Sequence, residues 1–290
     1  MTDGNIKQDV RQFYDKIGWQ MEIDGFYQNA RYEDLRPVSR EYIHNCHLRI
    51  NRHISSQGHL LLDAGSGPIQ YPEYVTYSDG YDYRVCLDIS IVALKEARKR
   101  IGDKGLFVVA DVSNLPFKPE VFDGIVSLHT LHHLPQEDQI KAYFDLSRVL
   151  KTGKSAVLVN GWTVSPLMEN TQWLVNLMER IGRVYLRLKN GAPEEEKTKS
   201  NKNTETKAAE KVETGTFIKK LDAQWLKEHL GKEHTLEIFS WRSVSVRFLR
   251  AVVHRQLAGK FFLKWLYLLE EKFPVYFGEK GQYPLIVIKK

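Results

Sequence analysis

Apolar side chains recur at steps of three and four through the first 56 residues. VRQFYDKIGWQM and SREYIHNCHLRINRHI both follow this rhythm, which predicts two amphipathic helices. In the second, Tyr42, Ile43, Cys46, Ile50 and Ile54 keep register, and Ser39, with Pro37 upstream, is the expected N-cap. DGFYQNARYEDLRP connects the two. From His59 the pattern changes to short apolar runs separated by helical ones. HLLLDAGSG predicts a buried strand entering a tight turn. YRVCLDIS predicts a strand, IVALKEARKRIG a helix stopped at Gly102, and LFVVAD and FDGIVSLHT two more strands. DQIKAYFDLSRVLKTG predicts a helix ending at Gly153, and KSAVLVNGW the next strand. Such alternation implies an α/β domain with a doubly wound, mostly parallel sheet. Strands rich in Val, Ile and Leu with little polar alternation are those covered on both faces.

After Trp162 the pattern loosens. Residues 164–188 predict a helix, and 190–214, with Val212 as the one large aliphatic and no aromatic, predict a flexible charged loop. TFIKKLDAQWLKEHLGK predicts a helix over 216–232, HTLEIFSW a strand, 244–273 further helix, and QYPLIVIKK a final antiparallel strand. The resulting divisions are a helical cap (1–56), a ligand-binding core (57–162), a helix with a charged loop (163–215) and a closing unit (216–290). Helical additions at the N-terminus and over 163–273 are expected to form a lid.

Composition narrows the class. With 290 residues, 42% hydrophobic and 27% charged, the chain is an ordinary globular mixture. No apolar run reaches the ~20 residues of a membrane span, and MTDGNIKQDV is not a secretory signal. Two cysteines, Cys46 and Cys86, make no disulfide framework and are expected in the core. A soluble, cytoplasmic protein is the expectation. Residues 215–290 carry fourteen of the 42 basic and seven of the 36 acidic side chains, so the net charge of +6 arises in the last quarter. That argues for a local basic surface and against a nucleic-acid groove.

The candidate chemistry lies at strand ends. Asp63, Gly65, Ser66 and Gly67 follow the first strand, Asp88 ends the second and Asp111 the third. In an open α/β sheet these positions converge on one cleft. The glycines let backbone N–H groups approach a ligand. An acid after the second strand suits two ribose hydroxyls, and one after the third suits an exocyclic amine. The alternative roles are a helix cap for Asp88 and a turn opener for Asp111. A dinucleotide site wants a third glycine where Gln70 stands, with Pro68 intruding, and its pyrophosphate would be repelled by Asp63. A single nucleoside bearing a positive sulfur fits better.

The order LLLDAGSG, VCLDIS, VVADVSNLPF, FDGIVSLHTLHHLP resembles the class I S-adenosylmethionine-dependent methyltransferases, in the flavour of the ubiquinone/menaquinone-methylase-like branch, over roughly 59–162. The resemblance implies a seven-stranded sheet and S-adenosylmethionine as cofactor. Asp63, Gly65, Ser66 and Gly67 would line its methionine and sulfonium side, Asp88 and Ile89 its ribose and adenine, and Asp111 and Val112 the adenine edge. Leu128 and His129 would contact the methionine part, and Tyr14 would close over the cofactor. The family's third glycine is replaced by Ile69.

Methyl transfer needs a base only when the acceptor holds a proton, and His132, His133 and Tyr14 are the candidates. The H-x-x-H-H spacing of His129, His132 and His133 does not suit a metal. Over 244–273, six basic residues interleave with large apolar ones, the pattern of a helix that meets an anionic membrane, a lipid-like substrate or the sheet. A small or lipid-like hydrophobic methyl acceptor is expected, not nucleic acid. A non-catalytic cofactor-binding scaffold or regulatory subunit is the alternative.

Overall fold

Seven strands form a single sheet in the computed structural model, which describes residues 3–19, 33–190 and 216–290. They are β1 (Gly58–Ala64), β2 (Tyr81–Asp88), β3 (Gly105–Val109), β4 (Gly124–Leu128), β5 (Ser155–Val159), β6 (Thr235–Arg242) and β7 (Tyr283–Lys289). Their spatial order is β3-β2-β1-β4-β5-β7-β6. The first five run parallel, and β7 lies antiparallel between β5 and β6. The doubly wound, mostly parallel sheet with an antiparallel last strand is therefore present as the sequence predicts. The expected connection over 24–32 and the charged stretch 191–214 lie outside the described residues.

Period-two geometry sends alternate side chains to opposite faces. Leu62, Val85, Ile125, Leu158 and Ile286 face helices α5 (Gln136–Val149) and α8 (Ala223–Leu230). Leu61, Cys86, Val126, Val157 and Leu285 face α4 (Ile91–Ile101) and the aromatics Tyr74 and Tyr77 of α3 (Pro72–Val75) and the turn after it. Both cysteines are buried and free. Edge strand β3 departs from the two-sided covering, since Leu106 and Val109 are exposed.

Helix boundaries correct several expectations. The N-terminal helix α1 spans Asp3–Phe13 and tightens into a π-helical turn at Tyr14–Gly18. Helix α2 spans Arg40–Leu48, and a 3₁₀ turn carries the chain only to Arg52. Ser39 does not cap it, because its hydroxyl donates to Asp34 Oδ2 at 2.6 Å. The helix expected over 164–188 is two, α6 (Pro166–Asn170) and α7 (Gln172–Asn190), divided where the Thr171 hydroxyl bonds back to the Leu167 carbonyl. The helix expected from 216 begins only at Ala223, capped by Asp222. Residues 216–222 form a non-helical strap whose backbone is claimed by other segments: Lys219 N–H donates to the His132 carbonyl (2.7 Å), and Thr163 N–H to that of Leu221 (2.9 Å).

The region 244–273 is helical, as α9 (Val246–Val252) and α10 (Gly259–Lys272), followed by α11 (Pro274–Lys280). Phe248, Leu249, Val253, Leu263 and Leu266 are buried against Tyr42, Ile43 and Cys46 of α2 and Val175 of α7. These helices thus make a third apolar core and do not cover the strand ends, as a lid would. The cleft is covered instead by α1 and its π-helical turn.

Candidate active site

The carboxyl ends of β1–β4 line a cleft. Asp63, Gly65, Ser66, Gly67, Asp88, Ile89, Asp111, Val112, Leu128, His129, Tyr14 and His133 all line it. His132 does not; it lines an adjoining cavity with His129 and His133.

The glycine loop works differently from the expected cradle. Gly65 and Ser66 both donate their N–H groups to the Leu87 carbonyl (2.7 and 3.0 Å), and Gly67 N–H donates to Asp88 Oδ2 (2.9 Å). These amides are spent on the fold, so glycine is required here for space and backbone angle. Gly65 has φ +76°, and a Cβ on it would lie 2.1 Å from the Thr130 side chain. The backbone also keeps a left-handed turn at Ile69 (φ 55°), where the family's third glycine stands, although its side chain is fully buried.

Each acid has a different electrostatic setting. Asp63 Oδ2 accepts from Arg84 Nη2 (2.5 Å) and Nε (3.2 Å), so the charge expected to face a sulfonium is already matched from within the sheet. Burial still leaves the Asp63 pKa raised, with Arg84 opposing it. Asp111 Oδ2 accepts from Lys7 Nζ (2.6 Å), and its Oδ1 accepts from Ser113 N–H and hydroxyl (each 2.9 Å). Lys7 also reaches Asp138 Oδ2 at 2.6 Å. Burial pulls the Lys7 pKa down, but the two carboxylates outweigh it and leave it raised. Asp88 has no cationic partner among the described residues. Its Oδ1 accepts from Ser90 N–H (2.8 Å) and its Oδ2 from Gly67 N–H. Burial pushes its pKa up to about 6 against those two hydrogen bonds. The helix cap is Ser90, whose hydroxyl accepts from Ala93 N–H, so Asp88 is left facing the cleft.

The base candidates separate into a pair and a bystander. His133 Nδ1 lies 2.9 Å from the Phe217 carbonyl, which can only accept, so Nδ1 carries the proton. Nε2 is then an acceptor, and the Tyr14 hydroxyl donates to it at 2.7 Å. Burial holds His133 below the usual histidine range, against the Phe217 bond. Tyr14 stacks on Trp19 (5.0 Å between centroids), and Trp19 in turn lies against Gly67. His132 Nδ1 is 3.3 Å from Asn160 Oδ1 and is kept neutral first by burial, then by the neighbouring histidines. Burial and the Arg242 charge, with Lys220 adding, bring the His129 pKa down to about 3.

The sequence pattern alone missed Lys7, Trp19, Arg84, Thr130 and Lys220. Two of them left signals. Lys7 shares a helical face with Val10 and Tyr14, three and seven residues on, and all three line the cleft. Arg84 is a charge inside an otherwise buried strand, and such a charge requires an acid beside it.

A model described as a methyltransferase domain matches residues 62–158, the stretch that carries β1 to β5 and the acids at their ends. The chain carries a class I S-adenosylmethionine-dependent methyltransferase domain. An uncharacterized methyltransferase of Geobacillus sp. (strain WCH70) is 38% identical over 66 residues, 23% of this chain and 31% of that protein. The tRNA (carboxymethyluridine(34)-5-O)-methyltransferase of Arabidopsis thaliana is 28% identical over 186 residues, 56% of this chain and 44% of that protein. The chain thus spans less than half the length of these relatives. The DhpI-SAM-HEP complex superposes over the whole of both chains with a TM-score of 0.55 at 10% identity, a likeness of fold. These similarities carry the methyltransferase class and not its ubiquinone/menaquinone-methylase-like branch.

The methyltransferase domain's own residues fit S-adenosylmethionine. Asp88 presents a buried carboxylate with acceptor capacity left beyond its two amides, and Ile89, Val112 and Leu128 supply apolar flanks. Gln70 Oε1 is buried without a protein donor, on the wall common to both cavities.

Proposed function

We propose that the chain transfers the methyl group of S-adenosylmethionine to a small acceptor held in the adjoining cavity. The observation that carries this reading is the wall shared by the two cavities, formed by Tyr14, Gln70, Tyr74, His129 and His133. The cofactor supplies an activated methyl on a positive sulfur. Asp88 would accept from the ribose hydroxyls and Asp111 from the adenine edge. Tyr14 and His133 would stand at the junction, where the Tyr14 oxygen would take the proton of an acceptor hydroxyl while Tyr14 hands its own to His133 Nε2, and the acceptor oxygen would gain the methyl as the sulfur–carbon bond breaks and S-adenosylhomocysteine leaves. The rest of catalysis is positioning of acceptor and methyl in line in a dry space.

The second cavity, about 460 Å³, suits a small, largely apolar acceptor. Phe13, Tyr71, Tyr74, Ile218 and Tyr283 wall it. The test uses tritiated S-adenosylmethionine with phenols, hydroxy acids, lipid extract and bulk tRNA as acceptors. Label should pass to a small or lipid-like member. Transfer to tRNA alone, or tight cofactor binding with no transfer to any of them, would refute the reading; the latter is the behaviour of a scaffold.

We also infer peripheral membrane contact through α10. Phe261, Trp265 and Leu268 are 75%, 52% and 59% exposed beside Lys260 and Lys264, the composition of an interfacial helix. No helix of the described residues is long and apolar enough to cross a membrane. Co-sedimentation with phosphatidylglycerol vesicles should be strong and should be lost in the double variant Phe261→Asp, Trp265→Asp. An intact protein that stays in the supernatant sinks this inference.

A further inference from the structure

Burying a cation without a counter-charge is costly, and the buried cations of this protein follow that rule. Arg84 is paired with Asp63, Arg49 with Glu270 and Glu271, Arg242 with Glu33, and half-buried Lys7 with Asp111 and Asp138. Lys220 departs from it. Its side chain is half-buried on the wall of the second cavity, and no carboxylate of the described residues pairs with it.

The fold places this ammonium deliberately. Lys220 sits on the strap 216–222, which is pinned by the Lys219 N–H bond to His132, by Gln139 Nε2 donating to the Lys219 carbonyl (2.6 Å) and by His133 bonding the Phe217 carbonyl. Lys219 is exposed, while Lys220 is half-buried and lines the cavity. Gly161 makes room for it: a Cβ there would stand 3.2 Å from Lys220 Nζ. Burial lowers the Lys220 pKa with nothing to oppose it. The other cation on the cavity wall, Arg242, already has Glu33 as partner.

We propose that Lys220 is the anion receptor of the acceptor site, so that the acceptor carries a carboxylate or phosphate paired with Lys220 while its reactive group faces Tyr14 and His133. This rests on the second cavity being the acceptor site. A bound anion would supply the missing counter-charge in a partly dry setting, where a charge-assisted bond is strong.

The test is calorimetric titration of the full-length protein loaded with S-adenosylhomocysteine. The probes are 4-hydroxybenzoate, phenyl phosphate and the neutral 4-hydroxybenzamide. At least one anionic probe should bind tenfold or more tighter than the amide, and which anion is preferred separates carboxylate from phosphate. Lys220→Met and Lys220→Gln should bring the anions to the amide's level with S-adenosylhomocysteine affinity unchanged, and Lys220→Arg should keep the preference. Equal binding of amide and anions, absence of binding by either anion, or a preference that survives Lys220→Met and Lys220→Gln overturns the proposal. Failure of wild-type protein to bind S-adenosylhomocysteine overturns the methyltransferase reading instead, and this proposal with it.

Discussion

Replacing Asp88 by Asn tests the nucleoside end of the cleft most directly. A carboxylate offers about four acceptor positions, and Gly67 and Ser90 N–H groups occupy two, at 2.9 and 2.8 Å. The other two are free for ribose hydroxyls. Asparagine keeps one acceptor oxygen and turns an NH₂ group against one of those amides. Hydrogen bonds to a charged group are worth about 1.5–3 kcal/mol each, so losing the charge and one acceptor should cost about 3 kcal/mol of binding. That is roughly a hundredfold in Kd for S-adenosylhomocysteine, measured by titration calorimetry. The pH dependence follows from the Asp88 pKa of about 6. Since its pKa lies above that of an unfolded aspartate, the folded apo protein holds the extra proton between about pH 4 and 6. Its own stability therefore falls as pH rises through that window. Ligand binding has the opposite sign, because the ribose needs the ionised carboxylate. Wild-type affinity should drop about tenfold per pH unit below about 6, and the Asn variant should lose that slope. Affinity of Asp88→Asn within about threefold of wild type, or wild-type affinity that is flat between about pH 5 and 7, refutes the assignment.

Other substitutions probe the remaining contacts. At Ile69 the left-handed backbone inverts the usual order of truncations: Ile69→Gly should be less destabilised than Ile69→Ala by about 1 kcal/mol in urea unfolding, and the reverse order would mean the turn relaxes. Tyr14→Phe removes the donor to His133 Nε2; turnover of a hydroxyl acceptor should fall about a hundredfold with little change in S-adenosylhomocysteine affinity, since the ring still stacks on Trp19. Lys7→Met removes the ammonium shared by Asp111 and Asp138, leaving Asp138 with Lys141 and Asp111 with Ser113 alone. It should cost about 1–3 kcal/mol in thermal unfolding and speed proteolysis within α1, and unchanged rates would show that Lys7 does not hold the cap down.

Much of the core was legible because parallel strands advertise themselves. Leu60–Leu62, Val85–Leu87 and Val157–Val159 are apolar runs with an acid or a turn at a fixed offset, so strand ends and the cleft follow from local pattern. What stayed hidden depends on partners distant in sequence. TFIKKLDAQWLKEHLGK has helical spacing throughout, yet its first seven residues stay out of the helix because His132, His133, Gln139 and Thr163 bond their backbone. Ser39 is a good cap in isolation and lost that role to Asp34. The glycine motif was visible, but its amides turned out to serve Leu87 and Asp88, which no spacing rule encodes.

The charge balance of the site joins these pieces. Of the three acids at the strand ends, Asp63 is neutralised by Arg84 and Asp111 by Lys7, so only Asp88 is left with amides alone. Across the shared wall, Lys220 is the cation without an acid among the described residues. The site is therefore polarised, with one unmatched carboxylate at the nucleoside end and one unmatched ammonium at the acceptor end. Between them, His129, His132 and His133 are held neutral by burial first and, for His129, by Arg242 and Lys220. A neutral imidazole beside a fixed cation keeps its lone pair available down to lower pH than a free one. For the base candidate His133 that state is set by burial, against the Phe217 bond, so readiness for proton removal is built into the fold and stands apart from the Lys220 charge.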